Sequence, residues 1–208
     1  MKRKLCVLFP GIGYTVDKPL LYYSGKYFKK LGYEIISIKY SELPPKVVGD
    51  ADYMKKAFMI GLKDAQEQLS GINWQSYEEI IFVGKSIGTA ISAAYAVDYS
   101  MEQIMEHSQN QAVDSEREYK AVFRNKLKII YLTPLIQTFY FVIPDCGIAF
   151  HGNSDPWAES APIRKACKEL GIPLYEYKDA NHSLDTGDII KDIGNLKDIM
   201  KIIMDYVQ

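Results

Sequence analysis

Short apolar segments alternate with longer amphipathic segments along most of the chain. Several of the apolar segments are uninterrupted runs rich in Val, Ile and Tyr, which is typical of strands covered on both faces. They predict strands at residues 4–9, 34–40, 80–83, 128–132, 147–150 and 174–177. Because these strands alternate with helical segments in repeated βα units, we expect a parallel sheet.

Helix start and stop signals mark the segments between the strands. In residues 18–31, Pro19 lies in the first turn and Gly32 follows the end. Further helices are predicted at about residues 52–69, directly after Gly88, at 158–170 and at about 189–207. The pattern indicates the α/β class, as a three-layer α/β/α sandwich around a mostly parallel sheet of about six strands.

Residues 101–126 interrupt this alternation. The segment is polar, charged and longer than an ordinary connection. We interpret it as a small helical insertion or a lid. It would belong to a single domain spanning residues 1–208, because a chain of 208 residues with 48% hydrophobic content suits one core.

The charges nearly cancel, with 25 Lys and Arg against 26 Asp and Glu, and no long block of one sign occurs. This balance disfavours a nucleic-acid or anionic-membrane partner and favours a small molecule. The first apolar run is broken by Pro10, Gly11 and Gly13, which indicates a buried strand instead of a signal peptide. No segment has the apolar length to span a bilayer.

The three cysteines are widely spaced and form no CxxC pair. Cys6, Cys146 and Cys167 are therefore interpreted as reduced core thiols, and a cytoplasmic location is predicted. The sequence leaves a homodimer open.

The most informative motif is Gly84-Lys85-Ser86-Ile87-Gly88, which fits G-x-S-x-G. It lies between a predicted strand and a predicted helix, and a strand-to-helix turn is what a nucleophile elbow requires. Flanking glycines relieve backbone crowding there and leave the serine hydroxyl exposed. The alternative is a tight turn with an incidental serine.

A serine hydroxyl needs a neighbouring base to become a useful nucleophile. His182 follows the last predicted strand in a loop suited to this role. His107 lies in the polar 101–126 segment and is interpreted as a solvated helix residue. His151 closes the preceding strand and is interpreted as a structural residue that braces the loop carrying Asp155.

The base in turn needs a carboxylate that orients the imidazole and stabilises the imidazolium. Asp155 follows the fifth predicted strand by five residues, in a loop bent by Gly152 and Pro156. Asp179 and Asp185 are nearer to the candidate histidine in sequence, but turn or helix-start roles suit them better.

The elbow motif and the order Ser86, Asp155, His182 identify a resemblance to the α/β-hydrolase superfamily, over almost the whole chain. The resemblance implies a compact form without a large cap, beginning at the usual third strand and lacking the two antiparallel leading strands. It also implies an oxyanion hole formed by the backbone N–H groups of Ile87 and Ile12, with Gly13 as the alternative second donor. The loop after the first strand has Pro10-Gly11 in place of the commoner His-Gly pair.

The expected activity is hydrolysis of a small to medium-sized ester or thioester through an acyl-enzyme, without a cofactor or metal. Tyr14, Trp157, Pro134 and Leu135 lie on loops at the predicted catalytic edge and are candidates for the substrate pocket. The alternative is a non-catalytic protein of the same fold that binds a ligand or a partner.

Three other motif interpretations are weaker. A phosphate-binding loop ending in Gly84-Lys85-Ser86 would need glycine at Glu79, and the dinucleotide fingerprint would need glycine at Val16. A metal site is chemically conceivable but less specific than the serine set. Its ligands would be His151, Asp155, His182 and Asp185.

Overall fold

The sheet confirms the predicted α/β architecture. The structure is a computed structural model that describes residues 3–41, 51–108 and 126–208. Its six strands are β1 (Arg3–Phe9), β2 (Glu34–Ser37), β3 (Tyr77–Lys85), β4 (Leu127–Leu132), β5 (Ile148–Gly152) and β6 (Leu174–Tyr177). All neighbouring pairs are parallel, in the order β2-β1-β3-β4-β5-β6. No antiparallel strand joins this sheet among the described residues.

Helices cover both faces of the sheet and complete the three layers. They are α1 (Pro19–Lys30), α2 (Ala51–Leu69), α3 (Ile87–Ser108), α4 (Ser160–Glu169) and α5 (Ile189–Val207), with short 3₁₀ turns at Trp74–Ser76 and Ile136–Tyr140. Alternate side chains of β3 point to opposite faces. Ile80 and Phe82 pack in the core beneath α2, α3 and α4, whereas Ile81 and Val83 pack in the core beneath α1 and α5.

Every strand except β6 differs from its predicted bounds by about one to three residues, and the largest differences are at β2 and β3. β3 begins three residues earlier, at Tyr77, and extends to Lys85. The charged residues near its two ends pair with the neighbouring strands, so they do not end the strand. Glu79, for example, lies opposite Lys4 and forms an ion pair with it at 2.6 Å. The edge strand β2 ends at Ser37, and its pairing closes with one hydrogen bond from Ile38 N to Leu8 O, at 2.9 Å.

The predicted insertion at 101–126 is described only in part. Residues 101–108 continue α3 as a helix to Ser108, whereas residues 109–125 lie outside the described residues. His107 lies in this helical extension. Whether the segment acts as a lid therefore stays a prediction.

None of the helices in the described ranges combines the length and the apolar character that crossing a membrane requires. Cys6, Cys146 and Cys167 are buried, and none of them forms a disulfide.

The chain changes direction across the sheet between β1 and β3. From β1 it continues through α1 to β2 on one side, and from β3 it continues to β4 on the other. In open parallel sheets, such a switch point leaves a crevice at the carboxyl ends of the strands, where ligands bind. The loop after β1 and the Gly84–Gly88 turn after β3 meet at this crevice.

Candidate active site

Ser86 occupies the turn between β3 and α3 in a left-handed conformation, with φ of 56°. A non-glycine residue in this region costs on the order of 1–3 kcal/mol, so the surrounding contacts must hold it. Its N–H donates to Leu132 O at 3.0 Å, and its carbonyl accepts from the Thr89 hydroxyl at 2.6 Å. Ser86 stays partly exposed, although residues 80–85 and 87 are all buried.

Close backbone packing explains the two glycines of the motif. A Cβ at position 88 would lie 2.1 Å from Phe9 O, and one at position 84 would lie 2.7 Å from Gly88 O. A Cβ does not approach a non-bonded atom this closely, so any side chain there would push α3 away from the sheet. The G-x-S-x-G pattern therefore reflects how tightly the first turn of α3 packs on β1 and β3.

The structure brings Ser86, His182 and Asp155 together in one hydrogen-bonded chain. His182 Nε2 lies 2.7 Å from Ser86 Oγ, and His182 Nδ1 lies 2.6 Å from Asp155 Oδ2. Since a carboxylate only accepts, Nδ1 carries the proton, and Nε2 accepts from the serine hydroxyl. The Asp155 side chain is fully buried, whereas 15% of the His182 side chain is exposed.

Backbone contacts between the loops after β5 and β6 fix these two side chains. Ser154 N donates to Ala180 O at 2.9 Å, and Asp179 N donates to the Asn153 side chain at 2.6 Å. The other oxygen of Asp155, Oδ1, accepts from the N–H of Trp157 at 2.8 Å. The carboxylate is thus held at both oxygens, which fixes its orientation toward His182.

His151 lies beside the same carboxylate and is completely buried. Its Nδ1 is 4.0 Å from Asp155 Oδ2, and its Nε2 is 3.0 Å from Ser160 Oγ. Nδ1 has no hydrogen-bond partner among the residues that the structure describes. Burial lowers the pKa of His151, so the ring is neutral at neutral pH.

The two candidate oxyanion donors lie on the two loops that meet at the crevice. Ile87 is the first residue of α3, so its N–H has no acceptor within that helix. Ile12 and Gly13 are the central residues of a tight turn closed by mutual backbone hydrogen bonds between Gly11 and Tyr14. A Cβ at Gly11 would lie 3.1 Å from Ser86 Cβ, so this turn directly adjoins the candidate nucleophile.

The predicted pocket residues have different surroundings. Trp157 is partly exposed, and its ring centroid lies 6.1 Å from that of His182. Pro134 and Leu135 lie in the loop that follows β4, and both are buried. The Tyr14 hydroxyl accepts from Leu20 N at 3.1 Å, and the same residue lines a cavity of about 170 Å³ between α1, α5 and the loop after β6. Their role in substrate binding stays a prediction.

The sequence analysis missed two groups of polar residues at the site. Thr89 and Thr138 share a 2.6 Å hydrogen bond beneath the Ser86 carbonyl. Lys85, within the motif itself, turns its ammonium toward Thr133 and the backbone of His182. Charge at a strand end normally indicates an exposed residue, and the chain pattern around Lys85 gives no sign of its burial.

Among the described residues, the structure assembles no group of three or more His, Cys, Asp or Glu side chains that could hold a metal ion.

No family model matches the sequence. No curated protein matches it either. Solved structures do resemble it. A serine hydrolase homologue from Coxiella burnetii is 15% identical, with a TM-score of 0.57 over 99% of this chain and 85% of that one. A serine hydrolase without a lid from Xanthomonas campestris is 13% identical, with a TM-score of 0.56 over 95% and 80%.

A third similar structure is esterase 2 from Thermogutta terrifontis. It is 19% identical, with a TM-score of 0.52 over 99% of this chain and 84% of that one. At such low sequence identity, the structural similarity establishes a common fold, whereas the chemistry depends on the residues of the site. The chain therefore has the α/β-hydrolase fold that its sequence resemblance predicted.

Proposed function

We propose that the protein is a serine hydrolase that cleaves an ester or thioester through Ser86, His182 and Asp155. One observation carries the proposal, namely the unbroken hydrogen-bonded chain from Asp155 through His182 to a serine in a strained strand-to-helix turn. A turn that merely connected β3 to α3 would not need a serine in the left-handed region, aligned with a histidine 96 residues away.

The geometry supports acyl transfer in two steps. His182 Nε2 takes the hydroxyl proton while Ser86 Oγ bonds to the substrate carbonyl carbon, and Asp155 stabilises the imidazolium that forms. The N–H groups of Ile87 and Ile12 would bind the developing oxyanion. The imidazolium then gives its proton to the leaving alcohol or thiol as the C–O or C–S bond breaks. Water, deprotonated by His182, hydrolyses the acyl-enzyme and restores the Ser86 hydroxyl.

Similar structures support the same class of reaction. The names of two of them include serine hydrolase, and that of a third is esterase 2 from Thermogutta terrifontis. A further structure of that esterase is described as phosphonylated by cyclosarin, an organophosphorus agent. Phosphonylation is the reaction expected of an activated nucleophile, and it suggests the probe for this chain.

The first experiment is covalent labelling of the full chain with a fluorophosphonate, followed by mass spectrometry to locate the adduct. We expect one adduct, on Ser86, and none on the Ser86→Ala variant. Ser160→Ala is the matched control, because Ser160 also lies within hydrogen-bonding distance of a histidine, and this variant should still label at Ser86. No adduct on folded wild-type protein would contradict the proposal and favour a non-catalytic ligand-binding protein.

Labelling identifies the nucleophile, and turnover then tests the substrate class. Short-chain p-nitrophenyl esters and acyl thioesters should release product with wild-type protein and not with Ser86→Ala or His182→Ala. A chelator should leave the rate unchanged, because the proposed mechanism uses no metal.

A further inference from the structure

Lys85 is the last residue of β3, and its side chain is buried beneath the candidate active site. Residues alternate along a strand, so Lys85 points to the same face as Ile81 and Val83, toward the layer of α1 and α5. Only 1% of the residue is exposed. A lysine so deeply buried is uncommon, because the ammonium loses its hydration.

The ammonium is held by groups from three loops of the crevice. Lys85 Nζ donates to Thr133 Oγ1 at 2.6 Å, in the loop after β4. It donates to the carbonyl oxygen of His182 at 2.8 Å, in the loop after β6. It also lies 4.7 Å from the centre of the Tyr14 ring, in the turn that contains Ile12. Because Lys85 directly precedes Ser86, one side chain connects the nucleophile turn to these other loops.

Stability alone does not explain this arrangement. A buried charged group adds little net stability, because the cost of removing the charge from water largely cancels the contacts that it makes in the protein. A buried polar group with its hydrogen bonds made favours one defined arrangement of its surroundings. The ammonium reaches its acceptors only when each of these loops lies in its native position. The loop that gains most is the one carrying His182, whose imidazole must stay within 2.7 Å of Ser86 Oγ.

We propose that Lys85 is a positioning residue of the hydrolase site, and that its ammonium holds the His182 backbone where the imidazole can accept the Ser86 proton. This inference rests on the proposed function, since it assigns Lys85 a role only in that chemistry. The ammonium touches no reacting atom. It acts through the main chain of His182 and through Thr133, and it fixes the distance between the base and the nucleophile.

The test compares Lys85→Met with wild type. Methionine has a similar length and fills the space but donates no hydrogen bond. We expect the rate of fluorophosphonate labelling at Ser86 to fall by about 10- to 100-fold, because misplacing a reacting group by about 1 Å costs that much. With an ester substrate, kcat should fall while KM changes by less than about twofold, since substrate contacts are retained.

Lys128→Met is the matched control. Lys128 lies on the neighbouring strand β4, donates to a backbone carbonyl of Tyr206 at 3.0 Å and lies 5.5 Å from the centre of the Tyr206 ring. Its contacts are of the same kind as those of Lys85, but it pairs with Ile81, four residues before Lys85 along β3. We expect Lys128→Met to keep the labelling rate within about twofold of wild type, because it leaves the His182 loop in place.

Thr133→Val is a second variant that keeps the lysine and removes one acceptor, with almost unchanged side-chain shape. It should lower the labelling rate by a smaller factor than Lys85→Met, and it decides the question if Lys85→Met does not fold. The inference would be overturned if Thr133→Val and any folded Lys85→Met both labelled at the wild-type rate. It would also be overturned if Lys128→Met lost as much labelling rate as Lys85→Met. A wild-type protein that does not label at all would instead contradict the proposed function itself.

Discussion

Two histidines lie beside the same oxygen of Asp155, and each presents its other ring nitrogen to a serine. His182 Nδ1 is 2.6 Å from Asp155 Oδ2, and its Nε2 is 2.7 Å from Ser86 Oγ. His151 Nδ1 is 4.0 Å from that oxygen, and its Nε2 is 3.0 Å from Ser160 Oγ. The residue types are identical on the two sides, so composition does not distinguish them.

Hydrogen-bond length, exposure and backbone conformation do distinguish them. The 4.0 Å separation at His151 is too long for a hydrogen bond, so Asp155 orients only His182. The His182 side chain is 15% exposed and can meet a substrate, whereas His151 is completely buried. Ser86 is held at φ of 56° in the crevice, whereas Ser160 is the first residue of α4. A serine, a histidine and an aspartate therefore form a candidate active site only when the fold gives them suitable distances, exposure and backbone conformation.

The largest difference between the two sides should appear when each histidine is replaced by glutamine. His182→Gln removes the base, and we expect labelling and ester turnover to fall by about four orders of magnitude or more. His151→Gln should reduce both by less than about tenfold, because it disturbs only the packing around Asp155. The labelling rate of each variant, with its thermal midpoint as a check of folding, provides the measurement. Equal losses would show that the two histidines are functionally equivalent and would remove the distinction.

A smaller but still large loss is expected when the shared carboxylate is neutralised. Asp155→Asn keeps the shape of the side chain but cannot stabilise the imidazolium, and we expect kcat to fall by about three to four orders of magnitude. Asp179→Asn is the control, because Asp179 and Asp185 were the competing interpretations and Asp179 is exposed, with a left-handed backbone that asparagine tolerates. Its variant should stay within about threefold of wild type. A reversal of these two results would reassign the orienting carboxylate.

Local patterns were enough to predict most of the fold. Short apolar runs located all six strands. The runs are clearest in the four central strands, which are buried on both faces and leave few polar positions. Among the boundary errors, those at the two ends of β3 arise because Glu79 and Lys85 belong to the strand, although charge normally marks a strand end. Their partners, Lys4 for the glutamate and Thr133 for the lysine, come from distant parts of the chain.

The sequence predicts those parts of the candidate site that depend on local backbone structure. It does not predict the contacts that depend on packing between distant segments. Ser86 follows from a five-residue motif, and His182 and Asp155 follow from their positions after strands. The contact between Lys85 and the His182 carbonyl joins residues 97 apart in sequence, and no periodicity or motif encodes it. The same holds for His151, whose burial and distance from Asp155 depend on how the loops after β5 and β6 pack.

The smallest expected effect concerns stability in acid, and it again separates the two histidines. Burial is the main cause that lowers the pKa of His151, opposed by the nearby Asp155 and Glu176 carboxylates and assisted by Arg164. The unfolded chain, with an ordinary histidine pKa of about 6.5, therefore takes up a proton at a higher pH than the folded protein does. The stability that neutral His151 contributes is complete above the unfolded pKa and is lost as pH falls toward the folded one.

Replacing the buried ring by a group that does not titrate should remove this part of the acid sensitivity. We expect the thermal midpoint of His151→Gln to fall less steeply than that of wild type between about pH 7 and about pH 5, whatever its value at neutral pH. His182→Gln is the comparison, because it retains His151 and should retain that part of the slope. Scanning calorimetry across this range measures all three proteins. If His151→Gln and wild type gave parallel curves, the buried ring would not titrate differently in the folded and unfolded states, and the contrast between the two histidines would then rest on geometry alone.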